Sequence, residues 1–530
     1  MMDRPSVAPQ ERTRLAEVLG AFSLASDLAM GLPAEHGLRS CYISMHLADE
    51  IELPPQEKAD LYYASLVKDG GCTCGSSQMA TFLAGDEMAA IADLVTRNQD
   101  DDLAMLGWVA QHVASGAPFA TRAKRMLEFL LHSRELEREG AAGECEVAQR
   151  IASRLQLSQT VQNALLACLE RWDGKGMPRG LRGEAIPLIA RIMGMAALAE
   201  IFHRTAGRKA AEKMALERKG KGFDPLVVDA FLALSGNPNF WEALEGEKSV
   251  WETVLSMEPD SRDRYIDGAQ LDDAALAFAD FVELKSPRFA GHSRGVAALA
   301  DRISAGMKLP GTELPIIRRT AITHDVGLVT VPAFTLQKPD RALSQAERER
   351  LRLHPYHSER ILSKVPAFQS SAILAGAHHE RMDGQGYYRG LSGRSIPLGA
   401  RIVAVADVFD ELTHDLPGRP ALEASAALHV LRQEAGSNLD PEAVEGLLEE
   451  LGEAGQHLRP RREAWPAGLT DREVEVLRSA AQGATRQQVA DALFLSENTV
   501  RHHLENIYGK IGVSSRAGAV LFAVEHDLLR

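Results

Sequence analysis

No stretch of the chain reaches the roughly eighteen uninterrupted apolar residues that a membrane span needs, so no spanning segment is expected. The opening residues, MMDRPSVAPQERTRL, lack the apolar core of a secretory signal. Aromatics make up only 5% of the composition, and β-branched alternation is missing, which disfavours a sheet-rich fold. Cysteines number five (Cys41, Cys72, Cys74, Cys145 and Cys168) and all fall in the first third. Cys72 and Cys74 stand too close for a zinc pair and have no second pair. The reading is therefore reduced thiols in a cytoplasmic protein rather than a disulfide framework. Positive charge is also in deficit: the net charge of −14 excludes wholesale coating of nucleic acid or an anionic membrane. Any DNA contact must come from a local surface.

What remains is rich in Ala, Leu, Glu and Arg, with 45% hydrophobic and 25% charged residues, which points to an all-α protein. At 530 residues the chain is too long for one core and suggests about three or four domains. An internal repeat divides it. The stretch Asp383–Arg401 (DGQGYYRGLSGRSIPLGAR) echoes Asp173–Arg191 (DGKGMPRGLRGEAIPLIAR). Upstream, His36 and Asp69 have the spacing of His292 and Asp325. The two registers differ, so an insertion is expected in the first copy between Cys74 and Cys145. Amphipathic helices fill each copy, as in Val296, Leu299, Ala300, Ile303 and Met307.

The second copy carries metal-ligand chemistry in a fixed order. His292 opens a helix, and His324-Asp325 sits in Thr-His-Asp-Val-Gly. His354 precedes a proline, His378-His379 ends an apolar helix, and Asp407 follows Val-Ala-Val-Ala. Imidazoles with carboxylates suit iron, manganese or zinc rather than calcium. A carboxylate such as Asp325 can bridge two ions, which an imidazole nitrogen cannot. Two ions about 3.5–4 Å apart activate water and stabilise both oxygens of a phosphodiester displacement. Taken singly, each histidine reads better as a surface or capping residue, and His357 and His414 stay in that class. Arg401 could reach a phosphate as a bidentate donor. Its counterpart Arg191 in the first copy leaves a structural ion pair equally open.

On these residues the second copy, roughly Asp272 to Leu451, resembles the HD-GYP family of helical phosphodiesterases. The resemblance implies a di-metal site on His292, His324, Asp325, His354, His378, His379 and Asp407. His324 and Asp325 would be catalytic, the two divalent ions iron or manganese, and the substrate cyclic di-GMP or a related nucleotide. The sequence departs from the family pattern at three places. Leu328 stands where the family has the lysine of HD-x-GK, Gly386-Tyr387-Tyr388 replaces Gly-Tyr-Pro, and Arg288 occupies the place of an extra acidic ligand. The last of these implies two ions rather than three.

The first copy has lost this set. It keeps His36 and Asp69 but has Lys68 for His324, Glu144 for His354, Cys168 and Leu169 for His378 and His379, and Ala197 for Asp407. Two surviving ligands cannot hold a di-metal centre. A scaffold or a pocket that binds without turnover both remain open.

In the tail, Thr470 and Glu473 form a capping box at the start of a helix. A break at Gly483 precedes a short helix from Thr485, a turn at Phe494-Leu495-Ser496, and a third helix over Thr499–Lys510. Val500, Leu504, Ile507 and Ile511 recur at helical spacing and face inward. Arg501, His502, Glu505 and Asn506 lie opposite, able to reach phosphates and base edges. The pattern of Leu469 to Leu529 resembles the LuxR-type (GerE-like) DNA-binding domain. That resemblance places Thr499, Val500, Arg501, His502 and Glu505 at the DNA surface and Lys510 and Arg516 near the backbone. It also implies double-stranded DNA as partner and a homodimer on paired half-sites.

The expected layout is a degenerate HD-GYP-like domain (1–245), a linker (246–270) and a metal-dependent HD-GYP-like domain (271–454). A second linker (455–466) leads to a LuxR-type helix-turn-helix (467–530). The expected role is a cytoplasmic transcription regulator without a membrane partner, in which a nucleotide or phosphodiester occupies the metal domain. The alternative is a catalytically silent ligand sensor with a structural metal.

Overall fold

A computed structural model describes residues 13–97, 101–115, 117–246, 249–259, 265–266, 268–452 and 465–529. The fold among these residues is all-α. The only sheet there is a two-residue antiparallel pairing of Thr13 with Ile266 and Arg14 with Tyr265. No helix of the described residues is long and apolar enough to cross a membrane.

The first copy begins with helices Leu15–Ala29, His36–Glu50 and Pro55–Val67. Three short helices follow, Ser76–Leu83, Glu87–Leu94 and Asp102–His112, where the sequence placed an insertion. They close around a small core of their own built on Leu83, Trp108, Val109 and Val113. A long helix, Phe119–Arg154, then returns to the main body. In the second copy, helix His292–Gly306 packs on Leu314–Thr323, Leu398–Leu412 and Pro441–Leu451. Its inward stripe is Val296, Leu299, Ala300 and Ile303, all buried. Asp224 and Asp440 cap the matching helices Pro225–Ser235 and Pro441–Leu451, each with proline at the first helical position.

The two copies share one apolar core. Phe22 of the first lies 5.3 Å from Phe278 and 5.0 Å from Phe281 of the second, ring centre to ring centre. Each such ring contributes on the order of 1.5–3 kcal/mol by burial, so the copies are a single packed body rather than beads. The tail has a separate core around Val474, Leu477, Val489, Val500, Ile507 and Phe522.

The segment 246–270, expected to be a linker, is packed structure where it is described. Helix Trp251–Ser256 places Trp251 against Gly20, and the Val254 carbonyl accepts from the Tyr62 hydroxyl at 3.0 Å. Helix Gly268–Glu283 then bridges to the long helix and to Leu314–Thr323. Its charge obscured the spacing of Trp251, Val254 and Leu255, which is a buried helical face. The second expected linker, 455–466, falls outside the described residues as far as 464.

Candidate metal centre and DNA-reading surface

Five segments bring the seven predicted ligands together at the centre of the second copy. His292 opens its helix, while His324 and Asp325 end helix Leu314–Thr323 and enter the 3-10 turn Val326–Thr330. His354 starts helix His354–Leu362, His378 and His379 follow helix Gln369–Ala375, and Asp407 lies within Leu398–Leu412. Gly327 makes the convergence achievable: a Cβ there would fall 2.0 Å from the His354 carbonyl oxygen, so no other residue lets the 3-10 turn approach so closely.

Asp325 divides the cluster in two. One carboxylate oxygen lies 3.8 Å from His292 Nε2 and 3.6 Å from His324 Nε2. The other lies 3.1 Å from His354 Nε2 and 3.5 Å from His378 Nε2. Asp407 joins the first group, 3.2 Å from His292 Nε2 and 3.7 Å from His324 Nε2. His379 joins the second: its ligand atom lies within 4.8 Å of those of Asp325, His354 and His378.

Tautomers are fixed from outside. His324 Nδ1 faces the Ala321 carbonyl at 2.8 Å, His354 Nδ1 that of Leu351 at 2.7 Å, and His378 Nδ1 that of Ala375 at 2.6 Å. His292 Nδ1 meets Asp410 at 2.8 Å. Each carbonyl or carboxylate accepts from Nδ1–H, which turns Nε2 inward, where it offers a lone pair to an ion or, with no ion bound, can carry a proton toward Asp325 or Asp407. His324 Nε2 is buried without a hydrogen-bond partner, and His354 Nε2 faces His378 Nε2 at 3.2 Å. Lone pairs converging in this way with two carboxylates are what a pair of transition ions requires, and the residues fit such ions.

Without ions, protons must balance the charge. Burial works against ionised Asp325, but the charge of His324 and hydrogen bonds from His354 and His378 hold it well below the usual carboxylate range. Asp407 is held down likewise, by His292 and His324 against its burial. Burial opposes a charged His292 too, yet Asp407 and Asp410 raise it well above an ordinary histidine. His379 goes the other way, pushed well down by burial and then by His378 and His354.

The first copy keeps the frame and not the centre. A Cβ on Gly71 would likewise fall 2.0 Å from the Glu144 carbonyl oxygen. His36 Nδ1 meets Glu200 at 2.5 Å, as His292 meets Asp410. In place of the ligand cluster, the Lys68 ammonium pairs with Asp69. Glu144 beside them is raised to about 7 by burial and by Asp69.

In the tail, Thr470 caps helix Asp471–Ala481, with Glu473 completing the capping box. Helices Arg486–Leu493 and Glu497–Ile511 follow, and then Arg516–Glu525. Arg501, His502 and Glu505 are exposed on one face of the third-position helix, linked by Arg501–Glu505 at 3.6 Å and His502–Glu505 at 3.3 Å. Thr499 lies at its first turn, its hydroxyl 2.8 Å from Ser496. Three assignments change. Val500 has 0% exposure in the tail core and cannot face DNA, because its position belongs to the apolar stripe. Lys510 is held by Glu473 at 2.6 Å and by the Gly468 carbonyl at 3.1 Å. Arg516 binds the carbonyls of Ala480 and Ala484. Both cations are thus spent on closing their own domain.

Comparison with known proteins agrees with this geometry. Residues 134–224 and 277–443 match the HD domain family, and 467–523 match the bacterial regulatory proteins of the luxR family. The chain is 30% identical over 437 residues to 3'3'-cGAMP-specific phosphodiesterase 3 of Vibrio cholerae serotype O1, covering 82% of this chain and 94% of that one. The chain belongs to the HD-domain family of the HD-GYP phosphodiesterases. A crystal structure of a cyclic GMP-AMP-specific phosphodiesterase from V. cholerae superposes with a TM-score of 0.57 at 28% identity, over 85% of this chain and 99% of that one. The chain is also 40% identical over 163 residues to a cyclic di-GMP phosphodiesterase response regulator, RpfG, of Xanthomonas campestris, covering 29% of this chain and 43% of that one.

Within this HD-domain protein, the residues around the ligands were the ones that sequence reasoning missed. Asp410 lies three residues after Asp407 and orients His292. Glu283 accepts from the backbone N–H groups of Gly291 and Ser293, both at 2.7 Å, and so fixes the start of the His292 helix. The repeat offered a signal, since Asp27 in the first copy accepts from Gly37 in the same way. Arg401, expected as a phosphate contact, pairs with Asp440 and donates to the Ile396 carbonyl at 3.1 Å. Arg191 pairs with Asp224 in the first copy. The shared arrangement favours the structural role. Leu328 is buried, so the position of the family lysine is apolar core. Tyr388 instead donates to Glu359 at 2.5 Å.

Proposed function

We propose that this protein is a transcription regulator whose second HD copy is a metal-dependent cyclic-dinucleotide phosphodiesterase, and whose tail reads DNA. The units are a degenerate copy (1–245), a metal-binding copy (271–454) and the tail (467–530), in a cytoplasmic homodimer. The observation that carries the reading is Asp325, whose two oxygens are shared between two groups of inward-turned imidazoles.

Divalent ions held by His292, His324, Asp325 and Asp407 on one side, and by Asp325, His354, His378 and His379 on the other, would supply Lewis acidity toward a phosphodiester and an acidified water. The chain's own groups supply the rest. Asp325 would offer one oxygen to each group of imidazoles. Asp410 and the three backbone carbonyls hold the imidazoles in the metal-binding tautomer. Tyr387, 4.9 Å from His379 and covered by Arg352 at 4.8 Å, forms the wall beside that side of the centre. The relative specific for 3'3'-cGAMP makes that dinucleotide the first substrate to test.

A second reading, a catalytically silent sensor, is favoured by buried Leu328, which leaves no cation at the family's lysine position. The deciding experiment measures iron, manganese and zinc in purified protein alongside turnover of 3'3'-cGAMP, cyclic di-GMP and a generic phosphodiester. About two ions per chain with turnover of a cyclic dinucleotide establishes the enzyme. Ions without turnover establish the sensor.

A further inference from the structure

The degenerate first copy has no chemistry left, yet its long helix holds the tail. Glu525 of the tail pairs with Arg150 at 3.2 Å and with Arg154 at 2.6 Å. Glu146, on the same helix, accepts from the Ser514 backbone N–H at 2.8 Å and from the hydroxyls of Ser514 and Ser515. Small residues let the surfaces close. A Cβ on Gly518 would lie 2.7 Å from a Glu146 oxygen, and one on Gly143 would lie 3.4 Å from the Ala517 Cβ. The contact thus combines ion pairs, a carboxylate seated at the start of helix Arg516–Glu525, and close backbone approach.

This seating sets part of the DNA-reading face against the first copy, with the Arg501 and Glu505 side chains still about half exposed (47% and 56%) at the edge of the gap between them. Arg501, Leu504, Glu505 and Tyr508 line a cleft of about 1100 Å³ whose opposite wall is the first copy, at Gln78, Phe82 and Arg138 among others. A major groove alone is ~12 Å wide and ~8.5 Å deep, and a duplex must continue past the helix on both sides. The cleft cannot admit one while the first copy forms its wall. We infer that the first copy's function is to be an intramolecular docking surface for the DNA-binding domain, which must leave the long helix before Arg501 and Glu505 can reach DNA. The inference rests on the DNA-reading role proposed above.

The surface is also tied to the metal-binding copy. Arg154 reaches Asp280 at 3.1 Å, and Asp280 pairs with Arg294, two residues beyond His292. The latch and the start of the ligand helix therefore share one chain of ion pairs.

Fluorescence anisotropy with a labelled 40-base-pair duplex of mixed sequence at low salt tests the inference on the full chain. In the Arg150→Ala/Arg154→Ala variant, removal of two cations alone would weaken binding to a polyanion. Undocking predicts the opposite, an increase of at least about tenfold. A second variant, Gly143→Cys/Ala517→Cys in a Cys74→Ala background, places two thiols at near-disulfide spacing. Oxidation should cross-link it and abolish DNA binding, and reduction should restore it. Unchanged or weaker binding by the arginine variant, failure to cross-link, or full binding by the cross-linked protein would overturn the docking function. Absence of DNA binding from every form, oxidised or reduced, would instead remove the DNA-reading role itself, and the docking function with it.

Discussion

The two HD copies hold the same kind of buried acids and neutralise them by different means. In the second copy, Asp325 and Asp407 face His292 and His324, which burial lowers but these and neighbouring carboxylates raise above an ordinary histidine. An ion that binds these rings displaces their protons. In the first copy, Asp69 faces Lys68. Burial works against that ammonium, but the charge and hydrogen bond of Asp69 outweigh it and raise Lys68 above an ordinary lysine. A cation that does not leave is a built-in counterion, and it closes the site to metals. The backbone frame is common to both, down to the approach of Gly71 and Gly327 to the facing carbonyl. The difference between the copies therefore lies in side chains on one frame, with one lysine facing the aspartate in the first copy where imidazoles face it in the second.

The largest expected break in this comparison is Asp325→Ala. Metal content should fall from about two ions per chain to less than one, and phosphodiester turnover to background, because both groups of imidazoles lose their shared ligand. Asp69→Ala should leave metal content and turnover unchanged. Elemental analysis with a turnover assay of both variants decides it, and equal metal loss in the two would dissolve the distinction between the copies.

Lys68→Met should come next. It strands Asp69 and raises the cost of ionising Glu144, in a site where all three side chains are largely buried. Removal of one member of a buried pair costs about 3–5 kcal/mol, read as a lower urea midpoint at pH 8. The loss should shrink as pH falls below about 7 and Glu144, raised to about that value, takes up its proton. A loss independent of pH would mean that Lys68 acts through packing alone.

Titration of the metal sharpens the comparison further. His292 and His324 are both raised, so they are protonated at and above the pH where a free histidine discharges. Ions bind the unprotonated rings, so affinity should rise with pH by up to about tenfold per unit for each proton displaced, then level off once both rings are neutral. For the metal-free protein the sign reverses. The stability that these charged histidines give is full below the unfolded value near 6.5 and is lost as pH rises through their folded values. Calorimetry in buffers of different ionisation enthalpy should register proton release on metal binding. Asp410→Asn should lower metal affinity by about 10–100-fold without unfolding the protein, since it supports a ligand and is not one.

The clustering of the seven candidate ligands was legible because metal chemistry restricts residue type and the repeat supplied a register against which losses could be seen. The tail was legible through its capping box and apolar spacing, and that spacing also shows why Val500 belongs to the core. Asp410 and Glu283 were not, because a residue that orients a ligand can be any carboxylate within reach. The segment around Trp251 was hidden by charged neighbours, although its apolar residues fall at helical steps. The contact of Glu146 with Ser514 and Ser515 joins residues 368 and 369 positions apart, and no local pattern records such a pairing.

The smallest expected effect tests whether symmetry between the copies is a guide to role. Arg401 and Arg191 sit on corresponding helices, each paired with an aspartate that also caps the following helix. Replacement by lysine keeps the charge but loses the planar fork, at a cost of about 1 kcal/mol in either copy. If both arginines are structural, Arg401→Lys and Arg191→Lys should lower the urea midpoint alike, and kcat/KM should stay within about threefold of the parent, less than 1 kcal/mol. A fall in kcat/KM confined to Arg401→Lys, with unchanged stability, would return that residue to the substrate. It would also show that the second copy uses its frame for chemistry where the first uses it only for shape.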